Sequence, residues 1–283
     1  MRRGLAASRE SAQALVQQGA VLVGGARADK PARLVAESDP VVILDTASRR
    51  YVSRGGHKLE AALQRFALEV GGRRCLDAGA STGGFTDCLL GRGASMVVAV
   101  DVGHGQLDVS LRQDPRVQVL ERTNIRALAP ADVGGTPFDV VVADLSFISL
   151  VPVAPVLAGD LARPGADIVV LVKPQFEAGR AEVSRGKGVI RDRDVRRAGL
   201  EAVASAFASQ GATIMGAMAS PLLGPAGNAE FLLYARAHSA PADVSSHPPA
   251  SRGWSAMLDA AVAEAPDNTG SSETASAHAP EDD

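Results

Sequence analysis

Residues 74–87, RCLDAGASTGGFTD, carry a short apolar strand through a glycine-rich turn, and FTDCLLGRG after it reads as a helix. A strand–glycine turn–helix unit opens a sheet of the α/β type, in which ligands sit beyond the carboxyl ends of the strands. The pattern that follows agrees. VVAVD (97–101), VQVL (117–120), DVVVAD (139–144) and IVVLVK (168–173) are further Val- and Ile-rich runs, with helical patterns between most of them. Continuous apolar strands alternating with helices predict a mostly parallel sheet covered on both faces. ATIMGAMAS and AEFLLYA, near residue 237, lack a helix-length spacer and predict a closing antiparallel pair.

The glycine spacing narrows the ligand. Dinucleotide folds use G-x-G-x-x-G, whereas this turn reads G-x-x-x-G-G two residues after an acid, Asp77. Such a turn suits S-adenosyl-L-methionine, whose ammonium group favours a nearby carboxylate. Asp101, at the end of the second strand, stands where an acid accepts from ribose hydroxyls. Two charged residues end apolar runs at the same rim: Asp144 and Lys173. Such positions are poor core sites, and a lysine beside a carboxylate can deprotonate or steer a weakly acidic hydroxyl such as a ribose 2′-OH. A structural salt bridge is the alternative reading of the pair. The sulfonium already activates its methyl group, so the chemistry calls for no metal.

The chain divides by composition. Residues 1–46 read as a small module, with Ser8 capping a helix over 10–18 and short strands after it. Residues 47–54 are a basic linker, 55–237 the α/β domain, and 238–283 an acidic, mostly disordered tail with one short helix around 254–263. Residues 1–60 hold ten Lys/Arg against six Asp/Glu, and residues 238–283 one against eight. A basic head fits an anionic partner. The stretch 178–192, with Arg180, Arg185, Lys187 and Arg191, is expected to be a mobile loop that closes on RNA, the alternative reading being a solvated loop. Cys75 and Cys88 have no metal-ligand spacing and read as small buried hydrophobes. His57 and His104 read as surface or supporting groups. No export signal or spanning segment is visible, which predicts a cytoplasmic protein without stable membrane association.

Several motifs together carry a family resemblance. SRGGHKL (53–59), LDAGASTGGFTD (76–87), DVGHGQL (101–107), ERTN (121–124), ADLSFISL (143–150), LVKPQFE (171–177) and GNAEF (227–231) closely resemble the TlyA family over residues 2 to 236. Its members are described both as hemolysins and as rRNA cytidine-2′-O-methyltransferases, with an FtsJ-like catalytic domain and an N-terminal S4-type RNA-binding domain. The resemblance implies a Lys–Asp–Lys–Glu tetrad of Lys58, Asp144, Lys173 and Glu230, with ribosomal RNA or ribosomal subunits as partner. Lys58 and Glu230 follow from the resemblance alone. The implied cofactor set is Asp77, Gly79, Ser81, Thr82, Gly83, Gly84, Phe85, Asp101, Val102, Asn124 and Asp144. RNA contacts are expected from Arg2, Arg3, Arg9, Arg27, Lys30, Arg33, Arg54, Arg180, Arg185 and Lys187. Two departures stand out: the chain opens at MRRGL, short of the usual S4 opening helix, and Arg49-Arg50-Tyr51-Val52 has Tyr where the family's R-x-W-V has Trp. A membrane-active hemolysin and a non-catalytic S4-type RNA-binding protein are the rival functions.

Overall fold

Valine and isoleucine favour extended backbone because branching at Cβ packs well on a pleated surface. In the computed structural model four of the apolar runs form strands buried along most of their length: β4 (Arg74–Ala78), β5 (Met96–Val100), β7 (Phe138–Ala143) and β8 (Ala162–Val172). The structure describes residues 5–6, 12–13, 16, 21–23, 26–28, 30, 35–36, 39–43, 51–186, 188–238 and 253–266. Two compact units divide at Arg50 and Tyr51. In the first, β1 (Val21–Val23) pairs antiparallel with β2 (Ala26–Arg27) and β3 (Val41–Ile43). Residues 12, 13 and 16 are helical; the remainder of the helix expected over 10–18 lies outside the described residues.

The second unit is a seven-stranded sheet in the order β6-β5-β4-β7-β8-β10-β9. The edge strand β6 (Val117–Leu120) and strands β5, β4, β7 and β8 run parallel. The closing strand β10 (Phe231–Arg236) lies antiparallel between β8 and β9 (Thr213–Ala219). Chain order reverses at the β4/β7 boundary, the position at which open sheets leave a crevice for ligands.

Alternation along the strands divides two cores. Leu76 and Ala78 of β4 with Val141 and Ala143 of β7 face one side, with Leu200, Val203 and Phe207 of α6 (Arg193–Ala208). Cys75, Val140 and Val142 face the other, with Leu59 and Leu63 of α1 (Arg54–Arg65) and Cys88 and Leu89 of α2 (Gly84–Gly91). Both cysteines are free and buried, and burial pushes their thiols up to about 12, consistent with a packing role. A four-residue helix, α3 (Val109–Arg112), precedes β6. Pro152 and Pro155 break the uncharged stretch after β7 into short 3-10 and π turns. No described helix is long and apolar enough to cross a membrane.

Two boundaries differ from the sequence reading. β8 starts at Ala162 although Pro164 and Gly165 follow; a register shift between Phe138 and Val140 accommodates them. Residues 51–54, grouped with the linker, pack with the second unit: Tyr51 is buried and donates to Glu60 (3.0 Å), Val52 N donates to Asp87 (2.7 Å), and Ser53 caps α1. In the acidic tail the short helix expected around 254–263 is α7 (Ser255–Glu264). Trp254, Leu258, Ala261, Val262 and Ala265 recur at helical spacing and enter the core.

Candidate active site

Backbone conformation builds the turn after β4. Gly79 and Gly83 have φ of +86° and +100°, which glycine adopts without strain, and Ser81 has φ +48°. A Cβ on Gly79 would lie 2.6 Å from the carbonyl oxygen of Asp144, so only glycine lets the turn pass this close to the end of β7. Asp101 fastens the turn to the next loop. One carboxylate oxygen accepts from Ser81 N (2.8 Å) and the other from Gly103 N (2.6 Å). Each oxygen keeps a further lone pair for a ligand hydroxyl. Ser81, Thr82 and Val102 are exposed beside the turn, Val102 at 72%. Asn124 is exposed too, and its side chain accepts from Arg126 N (3.1 Å).

Two members of the expected cofactor set are placed differently. Phe85 is a core side chain, and Asp77 points away from solvent, fully buried. Thr86 donates its hydroxyl to one Asp77 oxygen at 2.6 Å, while the other oxygen has no hydrogen-bond partner among the described residues. Burial pushes this carboxyl up to about 7, against the opposing pull of Thr86. A buried acceptor left open beside a glycine cradle fits a ligand with a cationic group.

The four tetrad residues come together at one rim. Antiparallel register sets Phe231 opposite Val172, so the next residues outward, Glu230 and Lys173, face each other across β10 and β8. Lys173 Nζ lies 2.6 Å from Asp144 Oδ1 and donates to Ser146 Oγ at 2.7 Å. Glu230 forms a hydrogen-bonded ion pair with Lys58 from the first turns of α1. Lys58, Lys173 and Glu230 are all buried. Ion pairs this enclosed gain little net stability over apolar residues, so their presence at a ligand crevice speaks for chemistry.

Other side chains at the rim were given no role from sequence, although Phe147, Glu177 and Asn228 fall within the family motifs. Phe147 is 88% exposed with φ +67°, and its ring centroid lies 5.4 Å from that of Phe176 with the rings tilted by 48°. Glu177 anchors the segment that follows, accepting from Ser149 Oγ (2.5 Å) and Leu150 N (2.9 Å). Asn228, two residues before Glu230, accepts from Ile190 N and donates to Gly188 O, both at 2.8 Å. Arg196, fully buried, donates to Ile190 O at 3.0 Å. The stretch expected to be a mobile loop therefore forms a short helix, α5 (Arg180–Arg185), and is pinned at Gly188–Ile190; α4 (Pro174–Glu177) precedes it. His57 meets the Tyr51 ring edge-on and His104 Nδ1 lies 2.7 Å from Glu121, away from the tetrad contacts. Of the expected RNA contacts, Lys30 and Arg54 are exposed. Arg2, Arg3, Arg9, Arg33 and Lys187 lie outside the described residues, as do the side chains of Arg27, Arg180 and Arg185.

The FtsJ-like methyltransferase family model matches residues 51–237, and the S4 domain model matches residues 2–41. The chain is 54% identical over 236 residues to the 16S/23S rRNA (cytidine-2′-O)-methyltransferase TlyA of Mycobacterium tuberculosis, an alignment covering 83% of this chain and 87% of that protein. The chain belongs to the TlyA family of FtsJ-like methyltransferases. Hemolysin A of Brachyspira hyodysenteriae is 39% identical over 82% of this chain and 95% of its own length. A hemolysin-named protein of Streptococcus thermophilus has the same fold, with a TM-score of 0.70 and 39% identity, covering 93% of this chain and 91% of that one.

Proposed function

We propose that the protein transfers a methyl group from S-adenosyl-L-methionine to a ribose 2′-hydroxyl, that of a cytidine in ribosomal RNA. The observation that carries this reading is the pair of buried Lys173 and half-buried Asp144 at the rim where the glycine turn approaches within contact of β7. The relatives' activity and the S4 match at the N-terminus support the substrate class.

When bound, the cofactor supplies a methyl group on a sulfonium, already activated for transfer to oxygen. The turn from Gly79 to Gly84 would receive its amino-acid portion, with Ser81 and Thr82 alongside. Asp101 would accept from its ribose, Val102 would flank its base, and the open Asp77 oxygen would answer its ammonium charge. Asn124 and Asp144 close this set, and Phe85 serves it by packing the helix behind the turn.

Lys173 Nζ takes or steers the proton of the 2′-hydroxyl, leaving an oxygen lone pair free for bond formation. Asp144 holds the amine by charge, and Glu230 with Lys58 completes the network beside it. Placing the oxygen in line contributes much of the acceleration. The exposed Phe147 ring offers a face for a base, and Arg54 with the basic residues of the S4 module would meet phosphates. A substrate of ribosomal subunits would have the protein act in the cytoplasm.

Tritium transfer from labelled S-adenosyl-L-methionine to purified ribosomal subunits tests the reading. Label enters RNA with the wild type and is lost with Lys173→Ala. Cofactor binding without transfer to any subunit would overturn the substrate, and no cofactor binding would overturn the activity.

A further inference from the structure

We infer that Ser146 is a positioning residue for Lys173, its hydroxyl oxygen setting the direction in which the lysine amine faces the acceptor. The inference rests on the methyl transfer proposed above and concerns how its proton is handled.

A lysine head group turns freely on a flexible four-carbon stem. Charge attraction to Asp144 holds it near the carboxylate, 2.6 Å away, but a charge pair constrains direction weakly. A hydrogen bond does constrain direction, since it weakens steeply away from linearity. Lys173 Nζ makes that bond with Ser146 Oγ at 2.7 Å. Nζ has four tetrahedral positions, one of them taken by the stem. With a second directed at Ser146 and a third drawn toward Asp144, a single position is left to face the acceptor. Ser146 would then decide whether that position meets a bound hydroxyl.

The segment bearing Ser146 is built to hold it. Asp144 ends β7, and three residues beyond Ser146 the chain is clamped by Glu177 through Ser149 Oγ and Leu150 N. Phe147 takes a left-handed conformation immediately after it, φ +67°, unusual for a bulky side chain. Ser146 is itself exposed, so a hydroxyl can reach the amine from the side on which the serine stands.

Steady-state methylation of ribosomal subunits by the full chain, as wild type, Ser146→Ala and Ser146→Thr, tests the inference. Removing the acceptor misaligns the amine without removing it, so Ser146→Ala should lower kcat by about 10- to 100-fold. KM for subunits and Kd for the cofactor should stay within about twofold, because uniform binding is untouched. Ser146→Thr keeps the hydroxyl and should recover most of kcat. A wild-type kcat in Ser146→Ala, a loss confined to KM, or a threonine variant as slow as the alanine would overturn the inference while leaving the reaction standing. Absence of transfer by the wild type would overturn both.

Discussion

The turn after β4 and the rim formed by the ends of β7, β8 and β10 meet at Gly79, yet they are made of different materials. The cofactor side is backbone: positive-φ glycines, amide groups and one carboxylate, Asp101, that ties two loops together. The acceptor side is side chains from segments far apart in the chain. Lys58 reaches Glu230 across 172 residues, and Lys173 reaches Ser146 across 27. A backbone cradle is damaged by changes of shape, even by one carbon. A side-chain network is damaged by changes of chemistry, even at constant shape.

Lys173→Ala should break the comparison on the acceptor side with the largest effect. A loss of kcat of about 10³-fold is expected, with cofactor Kd unchanged in isothermal titration, since Lys173 touches none of the turn's hydrogen bonds. Gly79→Ala should follow with a loss of about 10²-fold, and here both sides should fail together. The added carbon would sit 2.6 Å from the Asp144 carbonyl at φ +86°, so cofactor affinity and turnover should fall in the same variant. Normal turnover at saturating cofactor would show that the two sides are not mechanically joined at that point.

Asp77→Asn should have the smallest effect, and its size depends on pH. The folded carboxyl titrates near 7 and an unfolded one near 3.8. Between these values the folded chain binds the proton more tightly, so stability falls as pH rises from about 4 to about 7, and the full cost of the buried charge is felt above that. Asparagine carries no charge. In thermal melts without cofactor it should raise Tm by roughly 5 °C at pH 8 and by nothing at pH 4. An equal gain at both pH values would show that burial of charge is not what Asp77 costs the fold.

The same division explains what could be read from sequence. The turn, its glycines and Asp101 were legible because they lie within one local unit of strand, turn, helix and strand. Asp144 and Lys173 were legible as charges ending apolar runs. Lys58 and Glu230 rested on family resemblance alone, because nothing local marks the registry that sets Glu230 opposite Lys173. Ser146 and Phe147 lie in the ADLSFISL motif but were given no role, because the bond from Ser146 to Lys173 spans 27 residues. Asp77 was expected at the ligand; strand alternation puts it on the face of Cys75, one oxygen held by Thr86 and the other left open. The mobile loop expected over 178–192 missed Asn228 and Arg196, whose bonds to it span 38 and 6 residues and involve side chains that look unremarkable in sequence.

The central claim is that this rim methylates a ribose oxygen, and the most direct measurement is the identity of the modified nucleoside. Ribosomal subunits lacking the modification would be incubated with the enzyme and S-adenosyl-L-methionine, digested to nucleosides and resolved by mass spectrometry. The wild type should yield 2′-O-methylcytidine and Lys173→Ala none. A methyl group on a base, or 2′-O-methylcytidine that persists in Lys173→Ala, would contradict the claim.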